Sequence, residues 1–184
     1  MNDVQKSRYD RFFDAYEDAE GYLTRSSLLA HVDALAEVRG TPPVGPAMND
    51  LRSQMSGTWD LIAGIVDTNA DGRISREEFY AAGRTLTDFI LQAGDSTAES
   101  PLVPWIRALF AVIDANGDGR ITKDEYIDWL TALGLAADTD IDAAFAGFDK
   151  NDDNSLSDAE FAECGRQFWS VFDAAVPGHR WIGP

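Results

Sequence analysis

The chain has 184 residues, 45% hydrophobic and 26% charged, enough to bury a real core as one compact unit or two small lobes and too apolar for a disordered chain. Its 32 acidic residues against 15 basic ones leave a formal net charge of −17. So negative a surface repels nucleic acid and anionic lipid, and it attracts cations or basic partners. No window approaches the roughly 18 consecutive apolar residues of a membrane span, and the opening Met1-Asn2-Asp3-Val4-Gln5-Lys6 has no apolar signal core, so a cytoplasmic monomer without membrane contact is expected. Asn2 stands where N-myristoylation needs Gly. The one cysteine, Cys164, cannot form an internal disulfide, and its helical spacing from Phe161 and Phe168 places it on a core face as a buried thiol.

A pattern recurs along the chain, with starts at Tyr16, Asp67, Asp114 and Asp149. The first copy is damaged. Phe12 and Phe13 lead into it on a predicted helix, and Gly21 and Leu23 keep its turn and its apolar position, but Tyr16 opens it and Ser27 closes it where the other copies have Asp and Glu. Asp18 and Glu20 remain as candidate oxygens. Leu28, Leu29, Val32 and Leu35 then give a helix with one apolar face, on which His31 has no second ligand-type residue suitably placed; it is expected to be exposed or partly packed.

Gly40-Thr41-Pro42-Pro43-Val44-Gly45-Pro46 breaks that helix. Met48, Leu51, Met55, Trp59, Ile62 and Val66 mark a long amphipathic helix that feeds the second copy: Asp67, Asn69, Asp71, Gly72, Arg73, Ile74, Ser75 and Glu78. Its exiting helix carries Phe79, Leu86, Phe89 and Ile90. The polar run Gly94 to Pro101 is the candidate boundary between halves, and Pro101 and Pro104 suit the first turn of the next helix. Leu102, Trp105, Ile106, Leu109 and Ile113 form its apolar face.

The third copy is the cleanest: Asp114, Asn116, Asp118, Gly119, Arg120, Ile121, Thr122 and Glu125, followed by Tyr126 and Trp129. Three oxygen-bearing side chains at alternate positions of a tight turn converge on one hard cation, the position-6 Gly allows the sharp bend, the Arg120 carbonyl adds a backbone ligand, Thr122 acts through a water, and Glu125 closes the cage with both oxygens. That is the pattern of an EF-hand, a helix, a calcium loop and a second helix. Gly134 is the candidate C-cap of the exiting helix and Thr139 or Asp138 the cap of the next, with Ile141, Ala144, Phe145 and Phe148 on its core face. The fourth copy reads Asp149, Asn151, Asp153, Asn154, Ser155, Leu156, Ser157 and Glu160; Asn154 replaces the turn Gly at a strain of about 1 kcal/mol. After Phe161, Phe168, Trp169 and Phe172 comes a tail from Val176 to Pro184, in which Trp181 and Ile182 leave two readings open, a disordered end or a segment docked into a hydrophobic cleft.

Four hand positions in a chain of this length, the long interval between the first two, the stretch Asp128-Trp129-Leu130-Thr131-Ala132-Leu133-Gly134 and the Pro-Gly…Trp-Ile-Gly-Pro tail resemble calerythrin and the sarcoplasmic calcium-binding proteins over nearly the whole chain. The resemblance implies an all-α fold of four EF-hand units in two paired lobes packed into one compact molecule, with short β-bridges between paired loops (Leu23 to Ile74, Ile121 to Leu156). The expected division is 1–94 for the first pair, 95–173 for the second and 174–184 for the tail. It implies a role in buffering or transporting intracellular Ca²⁺, and it carries ligand roles onto Asp67, Asn69, Asp71, Arg73, Ser75 and Glu78, onto Asp114, Asn116, Asp118, Arg120, Thr122 and Glu125, and onto Asp149, Asn151, Asp153, Ser155, Ser157 and Glu160.

Three functions compete on the residues alone. Three methionines against ten Phe, five Tyr and five Trp favour a rigid calcium buffer over a sensor that opens a Met-rich groove to a basic amphipathic helix. An enzyme fits poorly, with two distant histidines, one buried thiol and no Gly-rich phosphate loop. Three Ca²⁺ sites are expected, with Mg²⁺ as a candidate competitor.

Overall fold

A computed structural model describes residues 2–91, 102–138, 140–171 and 173–183. Eight α-helices follow in order: α1 Asp3–Tyr16, α2 Arg25–Val38, α3 Pro46–Val66, α4 Arg76–Leu91, α5 Val103–Ile113, α6 Lys123–Ala132, α7 Ile141–Phe148 and α8 Asp158–Ser170. The strands β1 (Arg120–Thr122) and β2 (Ser155–Ser157) pair antiparallel with Ile121 opposite Leu156, and Leu23 makes an isolated bridge to Ile74. The fold is all-helical, and both expected loop pairings are present. Among the described residues no helix is long and apolar enough to cross a membrane.

Local chemistry sets the helix ends. Asn2 accepts from the Gln5 N–H at 2.8 Å to cap α1, Pro46 stands at the first position of α3, and Gly134 (φ 72°) follows α6 in a turn where its own N–H and that of Leu135 reach back to the Thr131 and Leu130 carbonyls. The cap of α7 differs from expectation. Asp140 holds it, accepting from the Ala143 N–H at 3.2 Å, because the helix starts later than the polar run suggested; Thr139, like the run 92–101 and Phe172, lies outside the described residues.

One hydrophobic cluster runs through both halves, from Tyr9 and Phe13 of α1 to Trp169 of α8. Helices α3 and α5 lie side by side, and α2 packs on α6, so the pairs share a core instead of closing separately. Two buried arginines reinforce the junction. Arg8 of α1, 0% exposed, donates to the Gln167 and Phe168 carbonyls in the last turn of α8 at 2.6 and 2.9 Å and to the Asp173 carbonyl just beyond it at 3.0 Å. Arg39, the last-turn cap of α2, does the same for α5, donating to the Val112 and Ile113 carbonyls at 2.5 Å and to Asp128 of α6 at 3.3 Å.

The tail is docked. Trp181 and Ile182 are each 1% exposed, and the Trp181 ring lies 5.5 to 6.0 Å from Phe161, Trp129, Phe168 and Trp105. Tyr126 donates its hydroxyl to the Trp181 carbonyl at 3.1 Å, and Arg11 reaches the Gly183 carbonyl. Two glycines make room: a Cβ on Gly165 would stand 3.1 Å from the Trp181 ring, and one on Gly178 would stand 2.5 Å from the Cys164 carbonyl. Among the described residues the indole N–H groups of Trp169 and Trp181 are buried without a partner, a cost of about 1–3 kcal/mol each, smaller than the ~4–6 kcal/mol that burying a tryptophan's surface supplies. Truncation by Trp181→Ala is expected to lower unfolding stability by ~3–5 kcal/mol and to raise ANS fluorescence; unchanged dye binding would contradict a docked tail.

His179 ties the tail to α1 and must be neutral to do so. Arg8 Nε donates to its Nδ1 at 3.1 Å and Arg11 approaches the same atom at 3.2 Å; an arginine can only donate, so Nδ1 is the unprotonated nitrogen. Burial, and then the charges of Arg11, Arg8 and Arg180, push its pKa down to about 4. Between the ordinary value near 6.5 and about 4, the unfolded chain takes up a proton that the folded chain does not, so stability falls as pH is lowered through that window. In urea titrations across that range, His179→Asn is expected to show a shallower decline than the parent.

Candidate metal centre

Each of the three complete loops is built on its own backbone amides. In the second, the Asp67 carboxylate accepts from the Asp71 and Gly72 N–H groups at 3.2 and 3.0 Å, Asn69 Oδ1 accepts from Asp71 at 2.8 Å, and Asp71 Oδ1 from Arg73 at 2.9 Å. The third repeats this with Asp114, Asn116 and Asp118 accepting from Asp118, Gly119 and Arg120 amides at 2.8 to 3.2 Å. The fourth does so with Asp149, Asn151 and Asp153, at 2.7 to 3.2 Å. Asn154 takes φ 62°, the left-handed conformation of Gly72 and Gly119 at the same step, so the replacement keeps the turn.

The closing glutamates are held from both sides. Glu78, Glu125 and Glu160 each accept from the amide of the loop's second residue (Thr68, Ala115, Lys150) at 3.2, 2.9 and 3.0 Å. Their other oxygen accepts the amide and hydroxyl of Ser75, Thr122 and Ser157 at 2.6 to 3.0 Å. Thr122 and Ser157 thereby complete capping boxes on α6 and α8, and their hydroxyls orient the glutamate. Hydrogen bonds from the Ser75 amide and hydroxyl hold the Glu78 carboxyl at about 2, and Ser155, followed by Arg120, holds that of Asp153 at about 2.

Burial separates the sites. Asp114, Glu125, Asp149 and Glu160 are each 8% exposed, whereas Asp67 and Glu78 are half-buried and Asp71 is exposed. Among the described residues no three Asp, Glu, His or Cys side chains cluster closely enough to hold a metal by themselves; the amides space the carboxylates along each loop. The donor set of each complete loop is nevertheless all hard oxygen, carboxylate, amide and main-chain carbonyl, a set that fits Ca²⁺ and offers nothing to a soft metal.

The first loop has been turned to another use. Tyr16 points into the core, 3% exposed, with its ring 4.6 Å from His31 and 4.8 Å from Phe12. Ser27 keeps the capping box with Thr24, and Asp18 alone carries the turn, accepting from the Glu20 and Tyr22 amides at 3.0 and 3.1 Å. His31 is partly packed, with Nδ1 2.9 Å from the Ser27 carbonyl.

Arg8, Arg39 and the side chain of Arg120 were not legible as site residues. The first two bind main-chain carbonyls, which leave no trace in side-chain patterns. The loop pattern gives Arg120 a role only for its carbonyl, yet its guanidinium bonds Asp153 and, at 2.7 Å, Ser155 Oγ in the neighbouring loop.

The chain matches the model of the EF-hand domain pair over residues 103–164 and an EF-hand model over 64–81. Calerythrin of Saccharopolyspora erythraea is 28% identical over 166 residues, covering 90% of this chain and 92% of that one. Over most of its length the chain is similar to EF-hand proteins of the calerythrin type. A Streptomyces coelicolor calcium-binding protein, whose structure is described in terms of calcium-mediated regulation, superposes with a TM-score of 0.72 at 25% identity, covering 91% of this chain and 98% of the other. The amphioxus sarcoplasmic calcium-binding protein shares the fold, with a TM-score of 0.75 at 21% identity, covering 100% and 98%. Removing one capping hydroxyl by Thr122→Ala is expected to cost ~1 kcal/mol in denaturant titrations run in EDTA.

Proposed function

We propose that this protein is a cytoplasmic calcium buffer with three sites, Asp67 to Glu78, Asp114 to Glu125 and Asp149 to Glu160. The observation that carries the reading is the identical amide scaffold under the three ligand sets, which the first loop lacks at its opening and closing positions. In each site the side chains of positions 1, 3, 5 and 12 and the carbonyl of Arg73, Arg120 or Ser155 would supply the ligands. Calcium adds the charge that lets three carboxylates lie together, and a formal −17 makes that neutralisation stabilising. Mg²⁺, with the same taste for oxygen, is proposed as a competitor.

The buffer reading is favoured over the sensor by how the apolar surface is spent. Trp181 and Ile182 occupy the aromatic pocket of the second pair, and among the described residues the exposed large hydrophobics are Val38, Val44 and Leu61. A sensor that opens for a basic amphipathic helix would have to expel that tail first. As a calerythrin-type protein the chain is not an enzyme, and its candidate nucleophile is inert: burial pushes the Cys164 thiol up to about 12.

Calorimetric titration with Ca²⁺ over an Mg²⁺ background, read together with ANS fluorescence, tests this. Expected are three ions bound, a higher melting temperature than in EDTA, flat or falling dye binding, and affinities nearer the ~10⁻⁹ to 10⁻⁸ M of buffers than the ~10⁻⁷ to 10⁻⁵ M of sensors. Dye fluorescence that rises with calcium would establish the sensor instead. Because β1 and β2 join the third and fourth loops, Glu125→Gln is expected to weaken both of those sites while Asp67 to Glu78 titrates nearly unchanged.

A further inference from the structure

The loop pairs share a device that the ligand pattern does not require. In each, the arginine at position 7 of one loop extends across the bridge to the acidic residue at position 5 of its partner. Arg73 reaches Glu20 at 2.7 Å, and Arg120 bonds Asp153. In the first pair the acid belongs to a loop that has lost its first and last ligands, so the contact is only an exposed surface pair. In the second pair the acid is one of the residues proposed to hold calcium. Arg120 also donates to Ser155 Oγ at 2.7 Å, and Ser155 in turn donates its hydroxyl to Asp153 at 2.6 Å, so the guanidinium is seated on the loop at two points.

We propose that Arg120 is a built-in competing cation for the fourth site, which lowers that site's calcium affinity and makes it fill after the third. The inference rests on the three-site reading above. Two physical effects act in the same direction. An incoming Ca²⁺ must share or take Asp153 from a guanidinium that already bonds it. Whether or not that contact breaks, a fixed positive charge beside a divalent ion raises its energy. Part of this is screened, because the side chains of Arg120 and Asp153 are 50% and 31% exposed, and about a tenfold effect on the dissociation constant remains. The third site is restrained less: Arg120 acts on Asp118 only through its charge, and no ion pair among the described residues engages Asp114, Asp118 or Glu125. Arg120 thus serves two loops at once, its carbonyl as the proposed ligand of its own and its guanidinium restraining the other.

The test is calcium titration of the full chain by ¹H–¹⁵N NMR, following the amides of Gly119 and Asn154, which bond the first ligand of the third and fourth loops respectively. In Arg120→Met, which leaves the carbonyl in place, the Asn154 midpoint is expected to move to about tenfold lower calcium and the Gly119 midpoint to move much less. Arg120→Lys, which keeps the charge without the fork, is expected to lie between the parent and Arg120→Met. The gap between parent and Arg120→Met should narrow in 1 M salt. Arg73→Met, which breaks the equivalent contact in the other pair, is expected to leave Asn154 unmoved. An Asn154 midpoint that stays put or rises in Arg120→Met overturns the inference while leaving three sites intact. An Asn154 amide that ignores calcium in both proteins overturns the inference and the three-site reading together.

Discussion

Everything in this molecule hangs on the need of each calcium-type loop to lean on another. A bridge of one to three residues cannot stand alone in water, and a loop crowded with carboxylates repels itself, so a hand is stable only when its apolar position-8 residue is covered by that of a partner. Ile121 against Leu156 and Leu23 against Ile74 meet that need, all four side chains being 2% exposed or less. The first loop survives on these terms: Gly21, Leu23 and the Thr24 cap are kept because the second loop requires them, while Tyr16, released from any ligand role, has been absorbed by the core.

The same constraint explains why the carboxylates are so thoroughly hydrogen-bonded. An aspartate that accepts from the amides four and five residues on defines the turn before any ion is bound, and a glutamate gripped by a capping box is already aimed at the loop. The loop therefore loses little conformational freedom on closing. That division of labour is harsher on the fourth site, where Asn154 must adopt a conformation glycine takes freely, and gentler on the third, where Gly117 and Gly119 both sit at positive φ.

Much of this could be read from the residues. Strict spacing of ligand-type side chains, with an apolar residue at position 8, specifies loop, turn and pairing together, which is why the two bridges fall where Leu23, Ile74, Ile121 and Leu156 placed them. The helices followed from apolar periodicity, and α7 alone shifted its cap, to Asp140, because several polar residues before Ile141 could serve and only packing chooses among them. What stayed hidden were contacts whose receiving end is main chain. The tail left two readings open since Trp181 and Ile182 advertise hydrophobicity but not its destination; Gly165 and Gly178, which shape the seat, look unremarkable in a helix and a turn. The main-chain contacts of Arg8 and Arg39 belong to the same class, and the side-chain reach of Arg120 was hidden too, because an exposed-type residue announces nothing about which distant carbonyl or carboxylate it will reach.

The two buried arginines bear on how the chain divides. Helix α5 and helix α8 both lie in the second half, yet the groups that satisfy their last carbonyls, Arg39 and Arg8, come from the first. The second pair of hands thus borrows two of its helix terminations from the first, and a break between the pairs would leave two helix ends of negative polarity without their arginines. A pattern that repeats hand by hand along the sequence therefore has its helix ends shared between the two pairs in space.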